Sequence, residues 1–81
     1  MPSLRIALAQ VNPTVGDLAG NAGLVRREAA AAATQGARLA VFPEMVLTGY
    51  PVEDLALRPS FQDASRAALL ALARYLREDG M

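Results

Sequence analysis

Two short apolar runs, Leu4 to Gln10 and Arg38 to Phe42, flank one helical stretch, Leu18 to Thr34, and that order leaves little choice of architecture. Antiparallel strands can be joined by a tight hairpin, whereas parallel strands need a long crossover, usually a helix. The order therefore predicts a β-α-β unit with parallel strands and a right-handed crossover. In the first run Leu4, Ile6 and Leu8 are large, Ala7 and Ala9 on the other face are small, and nothing between Arg5 and Gln10 is polar. A strand apolar on both faces is expected to be covered on both, as in parallel α/β sheets or the inner layers of a sandwich.

Between the runs, Asn12-Pro13-Thr14 reads as a turn, and its central proline rules out a glycosylation acceptor. Gly16, Gly20 and Gly23 lie between a strand and a helix, but a dinucleotide-binding G-x-G-x-x-G would need glycine where Leu18 stands. We read Gly16 as a turn residue, Asp17 as the helix cap, and Gly20 and Gly23 as sites of close packing. The helix carries Leu18, Ala22, Val25, Ala29 and Ala32 along one stripe, with Arg26, Arg27 and Glu28 largely off it. Gly36 stands where a left-handed residue would end the helix.

The second strand runs into Phe42-Pro43-Glu44, which puts a carboxylate at the carboxyl end of a strand, just after a proline that cannot continue the ladder. Ligands of open α/β sheets bind outside the carboxyl ends of the strands, so Glu44 is the principal candidate for a working residue. The simpler alternative is a strand-terminal Glu that points into water or caps a turn. Met45, Val46 and Leu47 follow it directly, and a carboxylate desolvated by such neighbours resists ionisation and becomes a stronger base. Thr48 and Tyr50 could support this loop or line a pocket, although a Tyr beside a proline also packs structurally.

Gly49 and Pro51 mark a sharp loop, and Pro51 is expected in the first turn of a short helix in which Glu53 and Asp54 meet the positive dipole end. Arg58 and Pro59 close that helix. Ser60-Phe61-Gln62-Asp63 is close to a capping box and opens a long helix to about Glu78. Its apolar side is Phe61, Ala64, Ala68, Leu69, Leu72 and Leu76; Arg66, Arg74 and Arg77 are read as solvated charges.

The chain has 81 residues, enough for at most one small domain that would bury only about 60% of its extended surface. The hydrophobic share of 53% is inflated by alanine, and with two Phe, two Tyr and no Trp the core would be marginal. The expectation is a partial domain over residues 1–81. Eight Arg and eight acids balance to zero net charge, which leaves no basic field for nucleic acid or an anionic membrane. Without Cys or His there is no disulfide framework, no Cys-based zinc site and no imidazole base. Arg5 interrupts a first run too short for a signal peptide or a membrane span, so a cytoplasmic location is expected.

Strand-Phe42-Pro43-Glu44 followed by Leu47-Thr48-Gly49-Tyr50-Pro51 resembles the first catalytic motif of the nitrilase, or carbon-nitrogen hydrolase, superfamily. The run Gly49-Tyr50-Pro51-Val52-Glu53-Asp54-Leu55 is similar to the glutaminase domain of glutamine-dependent NAD synthetases. Ile6 to Pro13, with Gly16-Asp17-Leu18 and Asn21 behind it, fits the opening of the same domain.

The resemblance implies an αββα sandwich of which this chain, β-α-β plus a short and a long helix, is the opening part. It also implies a Glu, Lys and Cys triad in which the Cys attacks an amide carbonyl, the Glu is general base and the Lys stabilises the oxyanion. Glu44 maps to the Glu. Glutamine is then the substrate, and its ammonia goes to a synthetase domain, absent here, that amidates nicotinate adenine dinucleotide. ATP and magnesium are expected only for that missing domain, no cofactor or metal for this segment, and a homo-oligomer for the full-length protein.

The chain departs from the pattern in having no Lys and no Cys, so it is expected to be inactive alone. A thiol needs a nearby base to become the attacking thiolate, and here Glu44 would have none to activate. The competing readings are a stand-alone amidase or carbamoylase of the same superfamily, and a non-catalytic βαβ module.

Overall fold

The structure, a computed structural model, describes residues 3–80. In chain order it comprises strand β1 (Ile6–Leu8), helix α1 (Leu18–Thr34), strand β2 (Leu39–Val41), a 3₁₀ turn (Glu53–Leu57) and helix α2 (Pro59–Glu78). The two strands pair in parallel, Ile6 opposite Leu39, Ala7 opposite Ala40 and Leu8 opposite Val41. Hydrogen bonds from the Arg38 amide to the Arg5 carbonyl and from the Ala9 amide to the Val41 carbonyl extend the pairing at both ends, each 2.9 Å long. The α/β class, the parallel strands and the bounds of α1 agree with the sequence reading. The strands are shorter than the apolar runs that predicted them.

Helix α1 begins where a side chain replaces a missing partner: Asp17 accepts the Gly20 amide at 3.0 Å. It ends at Gly36, whose φ of +83° lets the Gly36 amide reach the Ala33 carbonyl and the Ala37 amide the Ala32 carbonyl. This paired closure satisfies carbonyls the helix leaves open and aims the chain into β2.

Ala32 shares one small cavity with Ala7 and another with Ala40, so α1 covers the alanine face of the sheet. Coverage of both strand faces does not hold among the described residues. Ile6 and Leu8 on β1 are 47% and 71% exposed, and Leu39 and Val41 on β2 are 49% and 45% exposed. These four share one face by register, and a single crossover helix can cover only the other.

Between helices α1 and α2 runs an apolar groove lined by small residues, Ala22 and Gly23 from α1 and Ala64, Ala68 and Ala71 from α2. Among the described residues Val25, Ala32 and Leu72 are the buried apolar side chains. At the far end Arg26 grips Asp79 with two hydrogen bonds of 2.6 and 2.7 Å, and its guanidinium lies 4.7 Å from the centre of the Tyr75 ring.

Three local expectations need correction. Helix α2 starts at Pro59, with Arg58 extended before it and no side-chain cap, so Ser60 is not the cap residue. Proline is preset for the first helical position and disfavours helical backbone in the residue before it. The 3₁₀ turn starts at Glu53, with Glu53 and Asp54 in its first turn as expected, but Pro51 precedes it across a cis Tyr50–Pro51 bond. Leu69 is 56% exposed because the packed stripe of α2 runs through Phe61, Ser65, Ala68, Leu72 and Leu76.

Candidate functional site

Strand β2 leads through Phe42 and Pro43 into a turn spanning Glu44 to Thr48, so Glu44 stands just beyond the carboxyl end of the strand. Met45 has a left-handed φ of 58°, and the Gly49 amide closes the turn on the Met45 carbonyl at 2.8 Å. Glu44 is exposed among the described residues, contrary to the expected desolvation. The turn at Met45 separates the carboxylate from Val46 and Leu47, whose side chains are half-buried. The next backbone carbonyls, of Leu47 and Thr48, are drawn towards the start of α1.

That attachment is made by one buried side chain and one backbone hydrogen bond. Asn21, in the second turn of α1, is 2% exposed and is the most buried side chain among the described residues. Its Oδ1 accepts the Thr14 amide at 2.9 Å, and its Nδ2 donates to the Thr14 and Leu47 carbonyls, both at 2.8 Å. Alongside, the Gly16 amide donates to the Thr48 carbonyl at 2.9 Å. Gly49 is buried with φ +83°, and a Cβ there would lie 2.5 Å from Val15 Cα. Only a residue without a side chain lets the two backbones approach so closely.

Thr48 is half-buried, and its hydroxyl points back at the Met45 and Gly49 carbonyls at 3.4 and 3.3 Å, long distances for a hydroxyl donor. Tyr50 is 70% exposed. The structure thus gathers Glu44, Thr48 and Tyr50 on one loop, with Thr48 against its own backbone and Tyr50 towards solvent. The sequence reading placed Asn21 in a family pattern without giving it a task, and it missed the approach of Gly49 to Val15. A signal for Asn21 was present: a polar side chain continuing the Val25 and Ala32 stripe towards the amino end of α1, at helical spacing.

Glycines 20 and 23 act differently from the expectation of close packing. A Cβ at Gly20 would meet the capping Asp17 carboxylate at 2.1 Å, so this glycine leaves room for the cap, whereas a Cβ at Gly23 would meet nothing within 4 Å. Among the described residues there is no group of three or more acidic, His or Cys side chains that could hold a metal ion, and no helix long and apolar enough to cross a membrane.

Residues 5–80 match the family model described as carbon-nitrogen hydrolase. The chain is 44% identical over 81 residues to a glutamine-dependent NAD(+) synthetase of Thermotoga maritima, covering 100% of this chain and 14% of that protein. It is 51% identical over 69 residues to the enzyme of the same name from Rhodobacter capsulatus, covering 85% of this chain and 12% of the relative. For the Acinetobacter baylyi counterpart the identity is 42% over 72 residues, with 89% and 13% covered. The chain thus spans about one seventh of the length of these curated relatives or less.

Proposed function

The chain belongs to the carbon-nitrogen hydrolase family, and from this we propose that it is the amino-terminal segment of a glutaminase domain whose ammonia serves an NAD-forming synthetase. The observation that carries the proposal is identity of 42–51% to glutamine-dependent NAD(+) synthetases over stretches that include the Glu44 loop. In this reading the parallel β-α-β unit opens a larger αββα sandwich in the cytoplasm, and the apolar strand face of Ile6, Leu8, Leu39 and Val41 is an inner surface of that domain.

Glu44 acts as general base. It takes the proton of a Cys thiol supplied from outside this segment; the thiolate adds to the glutamine amide carbonyl, the protonated Glu44 passes that proton to the departing nitrogen, and ammonia leaves as the thioester forms. Water then releases glutamate and restores the thiol. A carboxylate at the end of a strand is well fixed for this task, and base assistance is worth about 10²–10⁴ in rate. A Lys, also from outside this segment, stabilises the oxyanion; ATP and magnesium serve the synthetase domain.

The test is Glu44→Gln in the full-length polypeptide. The amide keeps the size of the carboxylate but cannot accept the thiol proton, so glutamine-supported NAD synthesis is expected to fall by 10² or more while synthesis from added ammonia persists. Equal loss with both nitrogen donors would assign Glu44 to folding. Turnover of a simple amide or carbamoyl substrate with no synthetase activity would favour a stand-alone amidase.

A further inference from the structure

We propose that Asn21 is the positioning residue of the site, holding the Glu44 loop against the turn that follows β1; its catalytic consequence rests on the reading of Glu44 as general base. A buried amide is costly unless its groups are bonded, and the two neighbouring buried positions on this helix, Val25 and Ala32, are apolar. Asn21 is fully used: the oxygen accepts one amide and both Nδ2 hydrogens reach carbonyls. Two of these bonds go to Thr14, seven residues away, and would do no more than shape the local turn. The third crosses 26 residues to Leu47, three positions after Glu44.

Around that third bond the loop is tied twice more, through the Gly16 amide on the Thr48 carbonyl and through the close approach of Gly49 to Val15. The position of Glu44 is therefore set from two sides. Strand β2 and Pro43 hold it from before, and Asn21 holds the returning backbone from behind. A displacement of about 1 Å in a reacting group can cost on the order of 10²-fold in rate, so a tie at this point acts on turnover before it acts on substrate binding.

The experiment uses Asn21→Asp in the full-length polypeptide, which keeps the shape and one acceptor but turns both donors into an oxygen facing carbonyls. Hydrogen exchange read residue by residue is expected to accelerate at the Gly16 and Gly49 amides while the middle of α1 keeps its protection. For glutamine hydrolysis kcat is expected to fall tenfold or more, with KM within about twofold of the parent. Gly49→Ala, which pushes the same loop away while the Asn21 side chain stays unaltered, is the second variant and should give the same changes in Gly16 exchange and in kcat.

Unchanged exchange at both glycines in the folded Asn21→Asp variant would overturn the proposal, as would faster exchange with kcat untouched. A rise in KM with kcat retained would assign Asn21 to substrate binding instead. Should the parent protein not hydrolyse glutamine, the functional reading fails by itself, and the exchange data still decide whether Asn21 holds the loop.

Discussion

Two glycines in the chain should respond to the same substitution with opposite signs. At Gly49 an added Cβ would sit 2.5 Å from Val15 Cα, 2.7 Å from Val15 N and 2.9 Å from the Thr14 carbonyl carbon, all backbone atoms. Carbon atoms pack at about 3.5–4.0 Å, so the two loops must part by about 1 Å. A left-handed φ costs a residue with a Cβ about 1–2 kcal/mol, and overpacking costs about 1–3 kcal/mol. Against this stands a gain of about 0.4–1 kcal/mol from a stiffer unfolded chain, which leaves Gly49→Ala about 1–5 kcal/mol less stable.

At Gly23, inside α1, an added Cβ meets nothing within 4 Å. Gly23→Ala should therefore add about 0.5–1 kcal/mol of stability through helix propensity alone. Thermal melts of the two full-length variants read both effects, at about 2–4 °C per kcal/mol in a domain of 150–250 residues. A Gly49→Ala protein that melts with the parent, or a Gly23→Ala protein that melts clearly below it, would refute the packing described for these two sites.

Other outcomes follow from the same geometry. Leu72→Ala, at a side chain 7% exposed, should cost about 2–4 kcal/mol in denaturant unfolding. Asp17→Ala removes the helix cap and should cost about 1 kcal/mol in the same assay. The hydrogen bonds from Arg26 hold the Asp79 carboxyl below its ordinary range, so the pair stabilises the fold above the ordinary carboxylate pKa, and that contribution is lost as pH falls through the lower folded value. Asp79→Asn should flatten this acid limb of the stability profile, and added salt should shrink the difference between the two proteins. The isolated 81-residue chain should release no ammonia from glutamine above a Glu44→Gln control, since it holds no Cys.

The β-α-β order and the parallel pairing were legible because a helix between two short strands calls for a crossover, and the Asp17 cap and the Gly36 closure because each rests on neighbours in sequence. The start of α2 was legible too, but the proline rule at Pro59 outweighed the capping pattern at Ser60. The exposure of Ile6, Leu8, Leu39 and Val41 was not legible, because an apolar strand face reports that something should cover it and not what does. For Glu44 its place after β2 could be read, but its exposure depends on the left-handed turn at Met45, a backbone state that no residue type there announces. The long-range work of Asn21 depends on the Leu47 carbonyl, which approaches only when the strands are paired.

The hydrogen bonds of Asn21 also imply an order of events in folding. Its bonds to Thr14 close a segment of seven residues and its bond to Leu47 closes one of 26. By the logarithmic cost of loop closure the second is dearer by about 1 kcal/mol, and it also waits for β2 to dock beside β1. The helix start and its turn can therefore form early, while the loop carrying Glu44 settles near the end. Substitutions that disturb only the Leu47 bond should speed unfolding and leave the folding rate nearly unchanged, the signature of a contact made after the transition state.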